Sequence, residues 1–292
     1  MEILINGFDF WNMEAMHYYS FTSSYSGDKK AKAMELCLSE RYWGSRKMDG
    51  QWNMIIKDMN GELHMRSRKE GVSGGFVDKI DWVPQIKESI NDIPNGSAIV
   101  GEIYFPDDEG SRKITSVLNC LKDKCLDRQK KKPLHFYAFD ILACDGELFI
   151  EKPIIERIKY LEKLKNHDYI ETAIYLRGQA LWDLFGEVIA AEGEGIVITR
   201  EDCHYLPGKK TAWMTLKMKR ELADTVDAFI DGHYKPAKRL YGGKEIQSWS
   251  YWENVKTGEK YNTCKFDDYI NGVPVEAITA IFLCKSKIDI SP

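Results

Sequence analysis

The chain has 292 residues, 43% of them hydrophobic and 29% charged, with a formal net charge of −4. This is an ordinary globular composition, long enough for one large domain, or one large and one small, around a sizeable core. No apolar run approaches the roughly 20 residues needed to span a bilayer, Glu2 and Asp9 stand where an export signal would carry basic residues, and the seven scattered cysteines include no Cys-x-x-Cys pair, so a cytosolic protein with reduced thiols and no membrane partner is expected.

In chain order, Ile3 to Phe21 is rich in aromatics but follows no clean period. Ala31 to Glu40 predicts a short helix. Trp52–Lys57 and Glu62–Ser67 predict two strands joined at Asp58-Met59-Asn60-Gly61, where Asn-Gly is a strong hairpin signal. Lys79–Ile90 and Ile114–Leu121 have helical spacing, Ala98–Phe105 and Leu134–Leu142 read as strands, and Ile154–Leu164 and Ala180–Ala191 as amphipathic helices. Gly195–Thr199 and Trp213–Lys219 return to strand. After about Leu222 the character changes to short strands, Val226–Ile230, Ile246–Trp252 and Lys260–Phe266, punctuated by Gly242-Gly243, Thr257-Gly258 and Asn271-Gly272. The expectation is an α+β domain over residues 1–222 and a small β-barrel over 223–292.

An acidic net charge argues against indiscriminate phosphate binding, but distribution matters more than the total. From Cys203 to Arg220 there is no acidic residue, while Lys209, Lys210, Lys217, Lys219 and Arg220 all fall there, with aromatics interleaved. A second cluster, Arg128 with Lys130, Lys131 and Lys132, reads as a solvated face.

Lys47-Met48-Asp49-Gly50 places a lysine ahead of an acid-glycine turn at the mouth of a strand. Alone it describes a surface lysine in a turn as well as it describes a nucleophilic amine. Lys217 and Lys219, two apart in a strand, would face the same way and reach one phosphate. Glu102 and Glu194 each adjoin a glycine, which would let backbone and ligand approach closely.

Taken in order, Lys47-Met48-Asp49-Gly50, Ser67-Arg68, Gly101-Glu102-Ile103, Phe136-Tyr137-Ala138-Phe139-Asp140-Ile141-Leu142, Glu194-Gly195-Ile196-Val197 and Lys217-Met218-Lys219 resemble the nucleotidyltransferase motifs of ATP-dependent DNA ligases of the small viral or bacterial type. The run Tyr205-Leu206-Pro207-Gly208-Lys209-Lys210-Thr211-Ala212-Trp213 resembles the loop those enzymes carry before their last lysine motif. The likeness spans roughly Tyr42 to Ile230. It implies an adenylation domain of antiparallel sheets flanked by helices, then an oligonucleotide-binding (OB-like) barrel. It further implies a monomer that uses ATP and Mg²⁺, with Mn²⁺ able to substitute, to seal nicked duplex DNA.

By the same resemblance, Lys47 carries AMP as a phosphoramidate and Lys217 and Lys219 bind its phosphate. Glu102 contacts ribose and metal, Glu194 holds the catalytic metal and Phe139 stacks on adenine. Asp49 orients the strand ends. Arg68 grips a phosphate, and Tyr205, Lys209, Lys210 and Trp213 lie along DNA. A hinge near Arg220–Thr225 would let the β module clamp.

The sequence departs from the pattern at Trp52, where the family usually has arginine, at Ser45, and at Thr199, where a lysine is usual. No basic Arg-x-Asp-Lys-like motif follows Ile230, so either the barrel is short or the chain is cut. Three other readings stand beside a DNA ligase: an RNA ligase, an RNA-capping guanylyltransferase, and a polynucleotide-binding module without catalysis. NAD as donor is disfavoured because Lys47 lies too near the start for an extra nicotinamide-holding domain.

Overall fold

The structure, a computed structural model, describes residues 1–219 except 22–24, 26, 72–73, 107–110, 165–167 and 211–212; for 111–112, and for the strands from 228 onward, it describes the backbone alone. The chain divides into two units, Met1–Ala223 and Asp224–Pro292. The hinge expected near Arg220–Thr225 lies outside the described residues.

The first unit opens with a hairpin, β1 (Leu4–Ile5) and β2 (Phe8–Asp9), and a short strand β3 (Tyr19–Ser20). Helix α1 (Lys29–Leu38) follows; the Asp28 carboxylate caps it by accepting the Ala31 N–H at 2.9 Å. Next come β4 (Tyr42–Arg46), β5 (Gln51–Lys57) and β6 (Leu63–Ser67), then α2 (Pro84–Ser89), β7 (Ser97–Tyr104), α3 (Ser111–Leu118) and α4 (Lys122–Gln129). The unit ends with β8 (His135–Cys144), β9 (Glu147–Leu148), α5 (Ile154–Leu161), β10 (Ile170–Thr172), α6 (Gly178–Ala190), β11 (Gly195–Arg200) and β12 (Thr215–Lys219).

These strands form two main sheets. The larger runs β10-β8-β7-β5-β6 with β9 on β8, antiparallel except for the β10/β8 pair; the smaller runs β3-β12-β11-β4, with only β3/β12 parallel. The larger sheet is buried on both faces, and the two-residue period divides its side chains. Ile55, Ile99 and Ile103 point to a core shared with Ile86, Ile114 and Leu118 of the helices, while Met54, Ile56, Ala98 and Val100 point to a core closed by Phe10, Trp11 and Tyr205. The aperiodic aromatic N-terminus is therefore a cover over the second face. Arg66 is fully buried beneath it, donating to the Phe10 carbonyl at 3.4 Å and to the Met13 carbonyl, with the Phe76 ring centroid 4.1 Å from its guanidinium carbon. Burial pushes its pKa down to about 10.

The segment predicted as one helix over Lys79–Ile90 is a 3₁₀ turn, Ile80–Trp82, followed by α2. Pro84 explains the break, since the residue before a proline is pushed out of the helical region and Val83 sits at φ −132°, ψ 63°. Helix α4 falls where the sequence offered little apolar period; it buries Cys125 and Gln129 and exposes most of its other side chains. Cys37, Cys120, Cys125, Cys144 and Cys203 are free thiols, and among the described residues no helix is long and apolar enough to cross a membrane.

In the second unit, strand Ala228–Lys235 pairs antiparallel with Trp252–Asn254 and with Ile281–Ser286, Arg239–Tyr241 pairs with Lys244–Gln247 and Glu276–Ala277, and Tyr269–Ile270 pairs with Val273–Pro274. Strand pairing thus begins close to the predicted Val226 and Lys260 starts; of the predicted Ile246–Trp252 strand, Ile246 and Gln247 lie in one strand and Trp252 opens another, and 248–251 lie outside the described residues.

Candidate active site

The two sheets meet where β4 ends and β5 begins. Backbone hydrogen bonds between Gly44 and Leu176, 2.8 Å in both directions, tie the smaller sheet to the loop that leaves β10 of the larger one. Lys47 stands at this junction, its N–H donating to the Gly195 carbonyl at 2.8 Å. A cavity opens between the sheets. Lys47, Glu102 and Lys217 lie on its walls with Tyr18, Phe139 and Tyr175, and the Asp140–Arg157 pair lies deeper.

Lys47 is not a solvated surface lysine. Its side chain is 17% exposed and its ammonium donates to Glu194 Oε2 and, at 3.4 Å, to the Met48 carbonyl. Glu194 Oε1 accepts from Lys219 Nζ at 3.1 Å, so one carboxylate joins two ammoniums. Strand β12 sends Leu216 and Met218 into the core formed with Leu181, Phe185 and Val188 of α6, which leaves Lys217 and Lys219 on the opposite face. The two lysines act differently there: Lys219 pairs with Glu194, while Lys217 lines the cavity. Burial, and then the charges of Lys47, Arg68 and Lys219, hold the Lys217 pKa below the ordinary lysine value.

Glu102 reaches the same cavity from β7, opposite Trp52 of β5 in the sheet register. Burial pushes its carboxyl up to about 7, with Glu194 and Asp49 adding to the rise and Lys47 and Lys217 opposing it. The glycines beside these acids serve a purpose other than the expected room for ligand. A Cβ on Gly101 would meet the Phe136 ring at 2.3 Å and the Tyr137 carbonyl at 2.5 Å, and one on Gly195, which sits at φ +137°, would meet the Met218 carbonyl at 2.0 Å. Both glycines let neighbouring strands close, and that closure aims the acids.

Phe139 is half-buried on the cavity wall, its ring centroid 6.4 Å from that of Tyr18, and its carbonyl accepts the Tyr175 hydroxyl at 2.6 Å. Below it, the Arg157 guanidinium grips Asp140 through two bonds of 2.8 and 3.1 Å, and Arg157 also donates to the Cys203 carbonyl at 3.1 Å. Tyr18, Tyr175 and Arg157 carried no signal in the sequence. Asp140 did, as an acid inside an apolar strand.

The residues expected to touch nucleic acid separate into two groups. Arg68 is exposed at the cavity mouth with Nη2 2.8 Å from His17 Nδ1; Lys209 and Lys210 are exposed, the Lys210 ammonium 4.8 Å from the Tyr19 ring centroid. Trp213, in a left-handed conformation at φ 62°, is 37% exposed, packs edge-on to Phe21 and Tyr25 and gives its carbonyl to the Tyr42 hydroxyl. Tyr205 differs from expectation. It is 1% exposed, and its hydroxyl accepts the Met16 N–H at 3.0 Å, because the apolar cover over the sheet needs its ring and the buried N–H needs an acceptor. It supports the basic loop from below instead of presenting a ring to a ligand. In the other basic cluster Lys130 pairs with the exposed Asp127 and Lys132 lies over the Phe105 ring.

The fold is an α+β domain with a lysine-lined cavity between its two main sheets. The chain belongs to the ATP-dependent DNA ligase domain family, whose model matches residues 24–219. It is similar to a DNA ligase of Saccharolobus solfataricus, 28% identical over 233 residues, a span that takes in 75% of this chain and 37% of that protein; a DNA ligase of Saccharolobus islandicus matches at 28% over 234 residues, with the same shares. The chain thus spans little more than a third of the length of these curated relatives. In fold it is similar to mycobacterial DNA ligase D complexed with ATP and MES, with a TM-score of 0.52 at 20% identity over 85% of this chain and 69% of that one. The ligase domain from M. tuberculosis LigD gives a TM-score of 0.51 at 19% identity over 84% and 68%.

Proposed function

We propose that this chain seals nicks in duplex DNA at the expense of ATP, through an adenylate carried on Lys47. The observation that carries the reading is the placement of Lys47, joined to Glu194 and Lys219 beside a cavity that also holds Glu102 and Lys217.

In the first step the Lys47 amine, acting as free base, attacks the α-phosphorus of ATP; the bond to the bridging oxygen breaks, pyrophosphate leaves and the amine proton is lost to solvent. In the second, an oxygen of the DNA 5′ phosphate attacks that phosphorus, the P–N bond breaks and Lys47 regains a proton. In the third, the 3′ hydroxyl attacks the 5′ phosphorus and loses its proton to solvent, the anhydride P–O bond to the adenylate breaks, AMP departs and a phosphodiester forms. Little of this needs bond-making by the protein beyond Lys47; the rest is positioning and charge. Lys217 and Lys219 supply positive charge to the phosphate, Phe139 a surface for the base, and Asp49 and Arg68 hold the strand ends, with Lys209, Lys210 and Trp213 along the duplex.

The donor set fits Mg²⁺, with Mn²⁺ able to substitute. Glu102 and Glu194 offer hard oxygens, and burial of Glu102 near a second carboxylate is a charge arrangement that a cation relieves. When bound, the ion neutralises phosphate charge. The second unit is taken as an OB-like barrel joined to the adenylation domain, in a monomer.

Intact mass after incubation with ATP and Mg²⁺ tests this. One adenylate should be added to the native chain and none to Lys47→Ala, and the native chain should then seal a nicked duplex bearing a 5′ phosphate. Labelling by GTP in place of ATP would point to a capping enzyme, sealing confined to RNA ends to an RNA ligase, and no covalent nucleotide at all to a binding module.

A further inference from the structure

Trp52, Arg68 and Glu102 are shared by two hollows. On one side they wall the cavity that holds Lys47; on the other they begin a separate groove that runs past Ser67 and Lys69 to Lys79, Trp82 and Asn119. Lys79 lies along this groove although it is 7% exposed. Its ammonium donates to the Leu118 carbonyl at 2.9 Å and to Asn119 Oδ1 at 2.8 Å, and stands 5.1 Å from the Trp82 ring centroid. Among the described residues no carboxylate lies within ion-pair distance of it. Burial lowers its pKa, the direction expected of a charge without a counter-ion.

An ammonium has three hydrogens to give, and two are used. The third, on a buried cation beside a groove, suits an anion, which would offset the cost of burying the charge. Lys69 and Arg68, both exposed, line the same groove with Glu70, and Arg68 also lines the cavity. At that mouth, Trp52 is half-buried, with the Arg66 guanidinium carbon 5.4 Å from its ring centroid. An indole there offers a flat surface to the last sugar or base of a strand.

We propose that this groove seats the backbone of the DNA strand that carries the 5′ phosphate, with Lys79 and Lys69 each holding a phosphate and Trp52 marking the boundary at which the terminal phosphate passes to Lys47. The inference rests on the ligase reading above and adds to it a path for one strand and two phosphate anchors. It also gives Trp52 a task as a wall between nucleotide and nucleic acid.

The test is equilibrium binding of a 5′-phosphorylated nicked duplex to the full chain across a salt series, for the native protein, Lys79→Gln and Lys69→Gln, with thermal unfolding as a check on folding. Each phosphate contact contributes about 0.9 to the slope of log K against log salt. The expected result is a slope smaller by about that amount in each variant and by about twice that in the double variant. A lysine that merely fastens a helix end would leave the slope unmoved. Native slopes in both variants overturn the proposal, and if Lys79→Gln fails to fold, an unchanged slope in Lys69→Gln is sufficient to do so. Adenylation of the native chain by ATP is followed separately by mass. If it fails, the ligase reading is at fault, whereas a normal adduct with unmoved slopes places the fault in the groove alone.

Discussion

The Lys47 ammonium is bound to the Glu194 carboxylate, which also holds Lys219 at 3.1 Å. The carboxylate comes from the turn before β11 and the two ammoniums from the end of β4 and from β12, so three segments far apart in sequence meet at one charge cluster.

This arrangement predicts that Glu194→Gln loses the adenylate mass shift by at least about a hundredfold in rate, the scale on which a group acting on developing charge is felt. The variant should fold normally, because the group it replaces is partly exposed and the amide keeps its shape. Adenylation at native speed would remove Glu194 from the chemistry.

The Asp140–Arg157 pair is almost fully buried beneath the cavity, 6% and 2% exposed. Breaking it from one side leaves a charge with no partner in a dry place. Arg157→Met should therefore cost about 3–5 kcal/mol in urea unfolding, while Arg157→Met with Asp140→Asn should recover a substantial part of that loss. Equal losses in the single and double variants would show that the pair is not coupled.

Glu102 gives the stability a slope with pH. Its carboxyl is raised from the ordinary 4.5 to about 7 in the folded protein, so the folded state binds this proton more tightly than the unfolded chain does. Its contribution is complete below the ordinary value and is lost as pH rises through about 7. Relative to Glu102→Gln, the native chain should become less stable by up to about 3 kcal/mol over that interval and level off above it. Urea midpoints of the two proteins, compared at several pH values, check the sign as well as the size.

Tyr205→Phe should cost about 1–3 kcal/mol of stability, because the Met16 N–H is left without its acceptor in the core. The salt dependence of DNA binding should stay at its native slope, since the ring faces the interior. A reduced slope with unchanged stability would reinstate Tyr205 as a contact residue.

Much of the site could be read along the chain. Lys47, Glu102, Glu194 and Lys217 are brought to one cavity or its charge cluster, and the alternation Leu216, Lys217, Met218, Lys219 already divided core from site in β12. Other features were not legible. Tyr18 belongs to an aromatic stretch without period because that stretch covers the face of a sheet and contributes only the two-residue strands β1, β2 and β3. Pro84 broke a helix that spacing alone had drawn whole. Tyr205 sat in a basic, aromatic loop, and nothing local distinguishes a ring turned outward from one that fills a core.

The sequence by itself determined the long strands β5, β6, β7, β8, β11 and β12, most of the helices and the set of charged groups available, because local period and turn chemistry act over a few residues; β4 and the two- and three-residue strands were set by the sheets they join. Only the tertiary structure decided that Glu194 joins Lys47 to Lys219, that Arg157 neutralises Asp140, and that Lys79 lies buried along a groove next to Trp52. Those outcomes depend on which backbones close upon one another and on how much water is excluded between them, and both are properties of the assembled sheets.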